Sequence, residues 1–182
     1  MAIYGWENST IQWARSLPHD GILMNLMNFS SDFSKTKWLI LLGIFTLIYF
    51  WGIKRLIVPF LLTATSVGLG DLASRRIVKA LVMRSRPNYV GLECHMSSCW
   101  GFVSSHSTNV TAASIALILY DKRNAWWTLP IVILVGFSRI YLSDHFPLDV
   151  LGGTLLGGFI GFIVWEGYLK LSGFKGMKEV MQ

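Results

Sequence analysis

Apolar residues along this chain gather into long runs separated by short polar turns, and the spacing predicts helices of membrane length. The first run, Trp38 to Ile53, carries Trp38 and Trp51 near its ends, where indole rings anchor at headgroup level. It is somewhat shorter than the ~20 residues a span needs, so flanking residues have to be recruited. After the Lys54-Arg55 turn, Leu56 to Leu72 forms a second run, in which Ser66, Gly68 and Gly70 permit close helix contact. Ser107 to Tyr120, extended from Ser104, is the third. The polar turn Asp121-Lys122-Arg123-Asn124 leads into Ala125 to Tyr141, and Val150 to Leu171 is the last. In that final run Gly153, Gly157 and Gly161 recur every four residues, which puts them on one helix face for packing.

Two stretches break the pattern. Residues 1–37 are mixed: Ile22, Leu23, Leu26, Met27 and Phe29 keep helical spacing, with Asn25 and Asn28 between them. That suits a helix lying in the interface rather than crossing it. The first twenty residues contain Glu7, Arg15, Pro18, His19 and Asp20 and no apolar core, so no cleavable leader is expected. From Ala73 to Ser105 the chain turns basic, with Arg75, Arg76, Lys79, Arg84 and Arg86, and then Gly- and Ser-containing. The expected organisation is a lead (1–37) followed by a single membrane domain (38–182) with an active-site loop at 73–105. The fold class is all-α, a polytopic membrane bundle of about five transmembrane helices plus an N-terminal interfacial helix.

Composition agrees. Hydrophobic residues make up 53% of the 182, mean hydropathy is +0.49, and 14% are charged, against about a quarter in soluble domains. The net charge of +6 suits anionic lipid or a phosphorylated substrate. The basic residues are scattered rather than gathered into a stripe, which argues against nucleic acid. No obligate protein partner is evident.

Counting spans places the 73–105 stretch and the 139–149 stretch on the same membrane face. The opposite side then holds Lys54, Arg55, Lys122, Arg123, Lys170, Lys175 and Lys178, seven of the sixteen basic residues. This leans only slightly toward a cytoplasmic location for those turns. On the shared face three motifs converge: Lys79-x6-Arg86-Pro87, Val103-Ser104-Ser105-His106, and Ser138-Arg139-x5-His145-x3-Asp149. Ionisable residues at the mouth of apolar helices are functional-site candidates.

A phosphoryl group in flight spreads charge over its equatorial oxygens, so positioned cations and backbone donors supply most of the catalysis. Arg86 and Arg139 offer planar forks and Lys79 a point charge. The amides around Ser105 and His106 open a helix, where an anion is favoured. One histidine can attack phosphorus while the other protonates the leaving oxygen. Pro147 suits the first turn of a helix, and Asp149 then reaches back toward His145. An Asp that only caps that helix beside an incidental His is the plainer reading of the same four-residue spacing. Cys94, His95, Cys99 and His106 have the residue types of a zinc site. Such a site would leave the three cations without a task, so neither metal nor cofactor is expected. The two cysteines can bridge in an oxidising compartment, or stay as thiols. Asp71 and Arg75 are spaced for a helical ion pair. Arg75, Arg76 and Arg84 are read as solvated or lipid-facing in preference to a second anion subsite.

These motifs resemble the signature of the type-2 phosphatidic acid phosphatase superfamily, which includes lipid phosphate phosphatases, glucose-6-phosphatase and vanadium-dependent haloperoxidases. The signature runs Lys-x6-Arg-Pro, Pro-Ser-Gly-His and Ser-Arg-x5-His-x3-Asp; the first and third match at every defined position, over about 71–161. The second departs from it: Val103 stands for Pro and Ser105 for Gly. The resemblance implies a helical bundle with an extracytoplasmic site, in the cytoplasmic (inner) membrane of a bacterium. His145 would be the nucleophile, held by Asp149, and His106 the general acid and later base. Lys79, Arg86, Arg139, Ser104 and Ser105 would bind phosphate, with no metal needed. The implied activity is hydrolysis of a lipid phosphate or diphosphate, such as undecaprenyl diphosphate, a lipid A phosphate or phosphatidylglycerol phosphate, through a phosphohistidine. Transfer of the phosphoryl group to another acceptor is an alternative. A non-catalytic anion-binding or transport protein is the alternative from another class.

Overall fold

A computed structural model describes residues 5–31, 53–90 and 97–173, all of it helices and connecting turns, with no strand among them. The first expected span, all but its last residue, lies outside the described residues, as do Cys94, His95, Lys175 and Lys178. Two short helices open the fold, α1 (Gly5–Ser16) and α2 (Gly21–Ser31). Then come α3 (Ile53–Asp71), α4 (Ser105–Tyr120), α5 (Ala125–Tyr141) and α6 (Pro147–Leu171).

The lead is therefore two helices rather than one. The break falls at Pro18, whose carbonyl accepts a hydrogen bond from the Tyr141 hydroxyl. Ile22, Leu26 and Phe29 stay exposed while Ile11, Ala14 and Met27 are buried.

The second correction concerns the basic stretch. It was expected to be loop from Ala73, but α3 runs on through a π-helical turn, Leu72–Val78, and one α turn, Lys79–Val82. The reason is a residual two-sidedness: Leu72, Ile77 and Leu81 point outward while Ser74 and Lys79 are buried. Asp71 and Arg75 pair across the start of this turn at 2.7 Å, as their spacing suggested. Met83 adopts a left-handed conformation (φ 49°) and ends the helix, its amide donating to the Lys79 carbonyl at 3.0 Å. By length and apolarity, two helices of the described residues qualify as membrane spans, Leu56–Val82 and Pro147–Leu171. α4 and α5, at 16 and 17 residues, are shorter. The expected count of five is thus two by this criterion.

The core is built on contact between α4 and α6. A Cβ at Gly153 would lie 2.6 Å from the Ser104 carbonyl oxygen, and one at Gly161 2.5 Å from that of Ala112. At Gly157 it would collide with the Thr108 carbonyl. Small residues on both helices let the backbones meet. Leu62, Ile160, Val164 and Trp165 close the core on the side away from the site. Gly157→Ala is therefore expected to destabilise the bundle by ~1–3 kcal/mol through overpacking. Gly158, one residue on, has open space beyond its Cα, and Gly158→Ala is expected to be neutral or slightly stabilising. Thermal unfolding of the two variants in detergent checks this; equal melting temperatures would contradict the packing. Outward, Trp126, Ile133, Leu155 and Phe159 leave a broad apolar surface, as lipid contact requires.

Candidate active site

Two loops and three helix ends meet at one end of α4 and α6. Residues 84–86 run antiparallel to 99–101, with Ser85 bridged to Trp100. The Arg86 amide donates to the Cys99 carbonyl at 3.0 Å, and the Gly101 amide to the Arg84 carbonyl at 2.6 Å. This pairing turns the Trp100 carbonyl inward, where it accepts from Lys79 Nζ at 3.0 Å and Arg86 Nε at 3.3 Å. One backbone oxygen thus fixes two like-charged side chains that would otherwise repel. Cys99, in the same ladder, is disulfide-bonded.

The second motif starts α4. Ser104 is the N-cap: its side chain accepts from the Ser107 hydroxyl at 3.2 Å and its amide donates to the Asp149 carbonyl at 2.9 Å. Fully buried, it does not line the cavity described below. Ser105 does, with His106. The Ser105 hydroxyl is buried with no hydrogen-bond partner among the described residues.

In the third motif the end of α5 folds tightly back, with the amides of Asp144 and His145 donating to the Arg139 carbonyl at 3.0 and 3.2 Å. Pro147 takes the first helical position of α6, as expected. Asp149 Oδ2 accepts from the Phe146 amide at 2.9 Å and lies 3.6 Å from His145 Nδ1. The carboxylate caps the helix, whereas 3.6 Å to Nδ1 is longer than a hydrogen bond, and that buried ring nitrogen has no hydrogen-bond partner among the described residues. Arg139 is buried behind the cavity, donating to Ser31 Oγ and, at 2.6 Å, to Asp144 Oδ2.

Arg75, Lys79, Arg86, Tyr89, Ser105, His106 and His145 enclose a polar cavity of about 500 Å³. Beside it an apolar groove of similar volume runs along α3 and α4, lined by Thr63, Val67, Asn109, Val110 and Ala113. Arg75, Ser105 and His106 border both spaces. Of the sequence-predicted residues, Lys79, Arg86, Ser105, His106 and His145 share the cavity; Ser104, Arg139 and Asp149 support it from behind.

The PAP2 superfamily model matches residues 55–172. The chain belongs to the PAP2 superfamily. It is 28% identical over 153 residues to undecaprenyl-diphosphatase BcrC of Bacillus subtilis, covering 81% of this chain and 76% of that protein. Phosphatidylglycerophosphatase B of the same organism is 31% identical over 105 residues, 52% of this chain and 51% of the relative. Lipid A 4'-phosphatase of Porphyromonas gingivalis is 35% identical over 72 residues, 38% of this chain and 30% of that protein. In fold the chain resembles the crystal structure of a transmembrane PAP2 type phosphatidylglycerolphosphate phosphatase from Bacillus subtilis. The TM-score is 0.64 at 22% identity, covering 93% of this chain and 87% of the other. The chain is a phosphatase of this superfamily.

Three residues packed behind the candidate site escaped the sequence reading. Arg84, expected in solvent or lipid, is largely covered: Nη1 donates to Asp149 Oδ1 at 2.9 Å and Nη2 to Glu7 Oε2 at 2.5 Å. Its guanidinium also lies 4.7 Å over the Phe146 ring. Glu7, in the lead helix, has no exposed surface and also accepts from the Leu148 amide at 3.2 Å. Gly101 is the third, for a Cβ there would sit 2.7 Å from Asp149 Oδ2. A Gly after Trp and an Arg two residues before Arg86 carry no distinguishing pattern, and Glu7 is remote in sequence.

The His145 imidazole is held well below its ordinary value, first by burial and then by Arg86, Arg139 and Lys79, against a smaller opposing contribution from the Gly101 backbone. Burial and the three cations thus favour the neutral ring over the imidazolium.

Proposed function

We propose that the phosphatase removes the terminal phosphate of a polyprenyl diphosphate at the extracytoplasmic face of a bacterial inner membrane. The lipid tail stays in the apolar groove while the diphosphate enters the cationic cavity. The bundle that carries the site has about five spans. The terminal phosphate lies between Lys79 and Arg86, over the α4 N-terminus and the Ser105 hydroxyl, with Arg139 contributing charge from behind. His145 attacks phosphorus through Nε2, since Nδ1 is turned to Asp149. As the N–P bond forms, the bridging P–O bond breaks and the leaving oxygen takes the proton of His106. His106 then accepts a proton from water as its oxygen attacks phosphorus, the N–P bond breaks, and inorganic phosphate departs. The donors supplied by the chain balance the phosphate charge, so no divalent ion is given a step.

The observation that carries the diphosphate reading is the position of Arg75. It borders both cavity and groove, which is where the leaving group of a bound lipid has to lie. A cation there suits a leaving group that is itself a phosphate. Asp71 holds Arg75 by one nitrogen at 2.7 Å, which keeps the fork at the junction. The match to an undecaprenyl-diphosphatase over most of both chains supports the same substrate class.

Phosphate release from detergent-solubilised polyprenyl diphosphate, phosphatidylglycerol phosphate and phosphatidate, with and without chelator, tests this. The diphosphate is expected to be the best substrate, with rates unchanged by chelator. Arg75→Gln is expected to lower kcat/KM for the diphosphate by ~10-fold or more, the worth of a charge-assisted hydrogen bond, and for phosphatidate far less. A preference for phosphatidate, with Arg75→Gln affecting both substrates equally, would overturn the diphosphate assignment.

A further inference from the structure

The buried ion network behind His145 reaches across the whole chain. Arg84 divides its fork between two carboxylates, Asp149 Oδ1 at 2.9 Å and Glu7 Oε2 at 2.5 Å. Both carboxylates are fully buried and Arg84 is nearly so. Asp149 is thereby held by one oxygen, while its other oxygen accepts from the Phe146 amide at 2.9 Å and faces His145 Nδ1 at 3.6 Å. Glu7 accepts, in addition, from the Leu148 amide at 3.2 Å. The first turn of α6, which carries Asp149, is thus capped from inside by Asp149 and from outside by the lead helix. Phe146 lies under the guanidinium and fixes its plane. A buried carboxylate on an interfacial helix has no reason to be charged there unless it is paired.

We propose that Glu7 and Arg84 are positioning residues for the phosphatase reaction, setting the Asp149 carboxylate against His145 and making catalysis depend on the docked α1. Asp149 alone could rotate about its side-chain bonds; tied at both oxygens it cannot. Arg84 also offsets one of two buried negative charges, so that the field of Asp149 on the imidazole is set by how Arg84 is shared. Taking Glu7 away lets Arg84 pair with Asp149 alone and weakens that field. Taking Arg84 away strengthens it. The other groups facing His145 are Lys79 and Arg86 from the α3 extension and its loop, Arg139 from α5, and His106 from α4. α1 has a second tie, Arg15, which donates to Ser143 Oγ at 3.1 Å and Asn88 Oδ1 at 2.8 Å. This grips the turn before His145 and the loop after Arg86, so the helix can stay docked when Glu7 is changed.

The inference rests on His145 as nucleophile, so the experiment carries His145→Ala alongside. Glu7→Gln, Arg84→Lys and Arg84→Gln are purified in detergent with wild type, and kcat, KM and the pH profile of kcat/KM are measured on one lipid phosphate. Glu7→Gln keeps shape and loses charge; Arg84→Lys keeps charge and loses the fork. Both are expected to lower kcat by ~10–100-fold, the usual cost of losing a partner that orients a catalytic group. KM is expected to stay near wild type. The acid limb of kcat/KM is expected to move to lower pH in Glu7→Gln and to higher pH in Arg84→Gln, opposite displacements that general loosening of the fold does not produce. Wild-type kcat and pH profile in Glu7→Gln would overturn the proposal. If Glu7→Gln does not fold, unchanged kcat in Arg84→Lys overturns it equally. Activity surviving in His145→Ala would instead remove the nucleophile assignment and leave the ion network as a purely structural feature.

Discussion

His145→Ala is expected to lower turnover by ~10⁴-fold or more, as loss of a nucleophile does in other covalent mechanisms, while binding of the lipid phosphate persists. The separation follows from who holds what. Lys79 and Arg86 are fixed by the Trp100 carbonyl, Arg139 by Ser31 and Asp144, and the α4 N-terminus by its Ser104 cap. None of these supports involves the His145 side chain, so truncating it leaves the anion site standing. His145 is almost fully buried, so truncation is also expected to cost ~1–3 kcal/mol of stability through the cavity it leaves, and binding is measured on protein shown to be folded. Equilibrium binding of a radiolabelled lipid phosphate, measured beside phosphate release, separates the two quantities. Turnover near wild type would contradict the assignment; loss of binding together with turnover would make His145 a binding residue.

The second large effect is expected at His106, and its size depends on the leaving group. His106 borders both the cavity and the groove, the position from which a proton reaches the bridging oxygen. Removing a general acid typically costs ~10²–10⁴-fold, most where the leaving group is most basic. His106→Gln is therefore expected to slow phosphatidate, whose leaving group is an alkoxide, more than a polyprenyl diphosphate, whose leaving group is a phosphate. A nitrophenyl phosphate needs no protonation and is expected to lose least in the first step. Water still has to be activated afterwards, so the nitrophenyl substrate is expected to give a burst and then a slow steady rate. Equal losses of kcat/KM, which reports the first step, on all three substrates would contradict the general-acid role.

Much of the site was legible because the chemistry needs residue types that stand out in an apolar chain. Lys79, Arg86, His106, His145 and Asp149 break long hydrophobic runs at fixed spacings, and counting spans brought them to one face. The glycine face of α6 was legible for a similar reason, since only small residues at every fourth position let two backbones touch. Ser104 was drawn into the phosphate cradle because its hydroxyl precedes a helix; that same position made it the cap, and its neighbour Ser105 faces the cavity. The helical run of Ala73 to Val82 was hidden by its arginines, which read as loop although they alternate with outward apolar residues. Arg84 and Glu7 were not legible. Their partners lie 77 and 65 residues from Arg84, and pairing across such distances follows from tertiary packing rather than from local pattern.

The most direct measurement is to look for the phosphoryl group on the protein. Enzyme mixed with lipid phosphate labelled in its terminal phosphate is quenched in alkali within milliseconds, conditions in which a phosphoramidate survives, and the labelled peptide is identified. The expected result is label on the peptide containing His145, absent from His145→Ala and more abundant in His106→Gln. Steady turnover with no label on the protein, or label on another side chain such as Ser105, would contradict it.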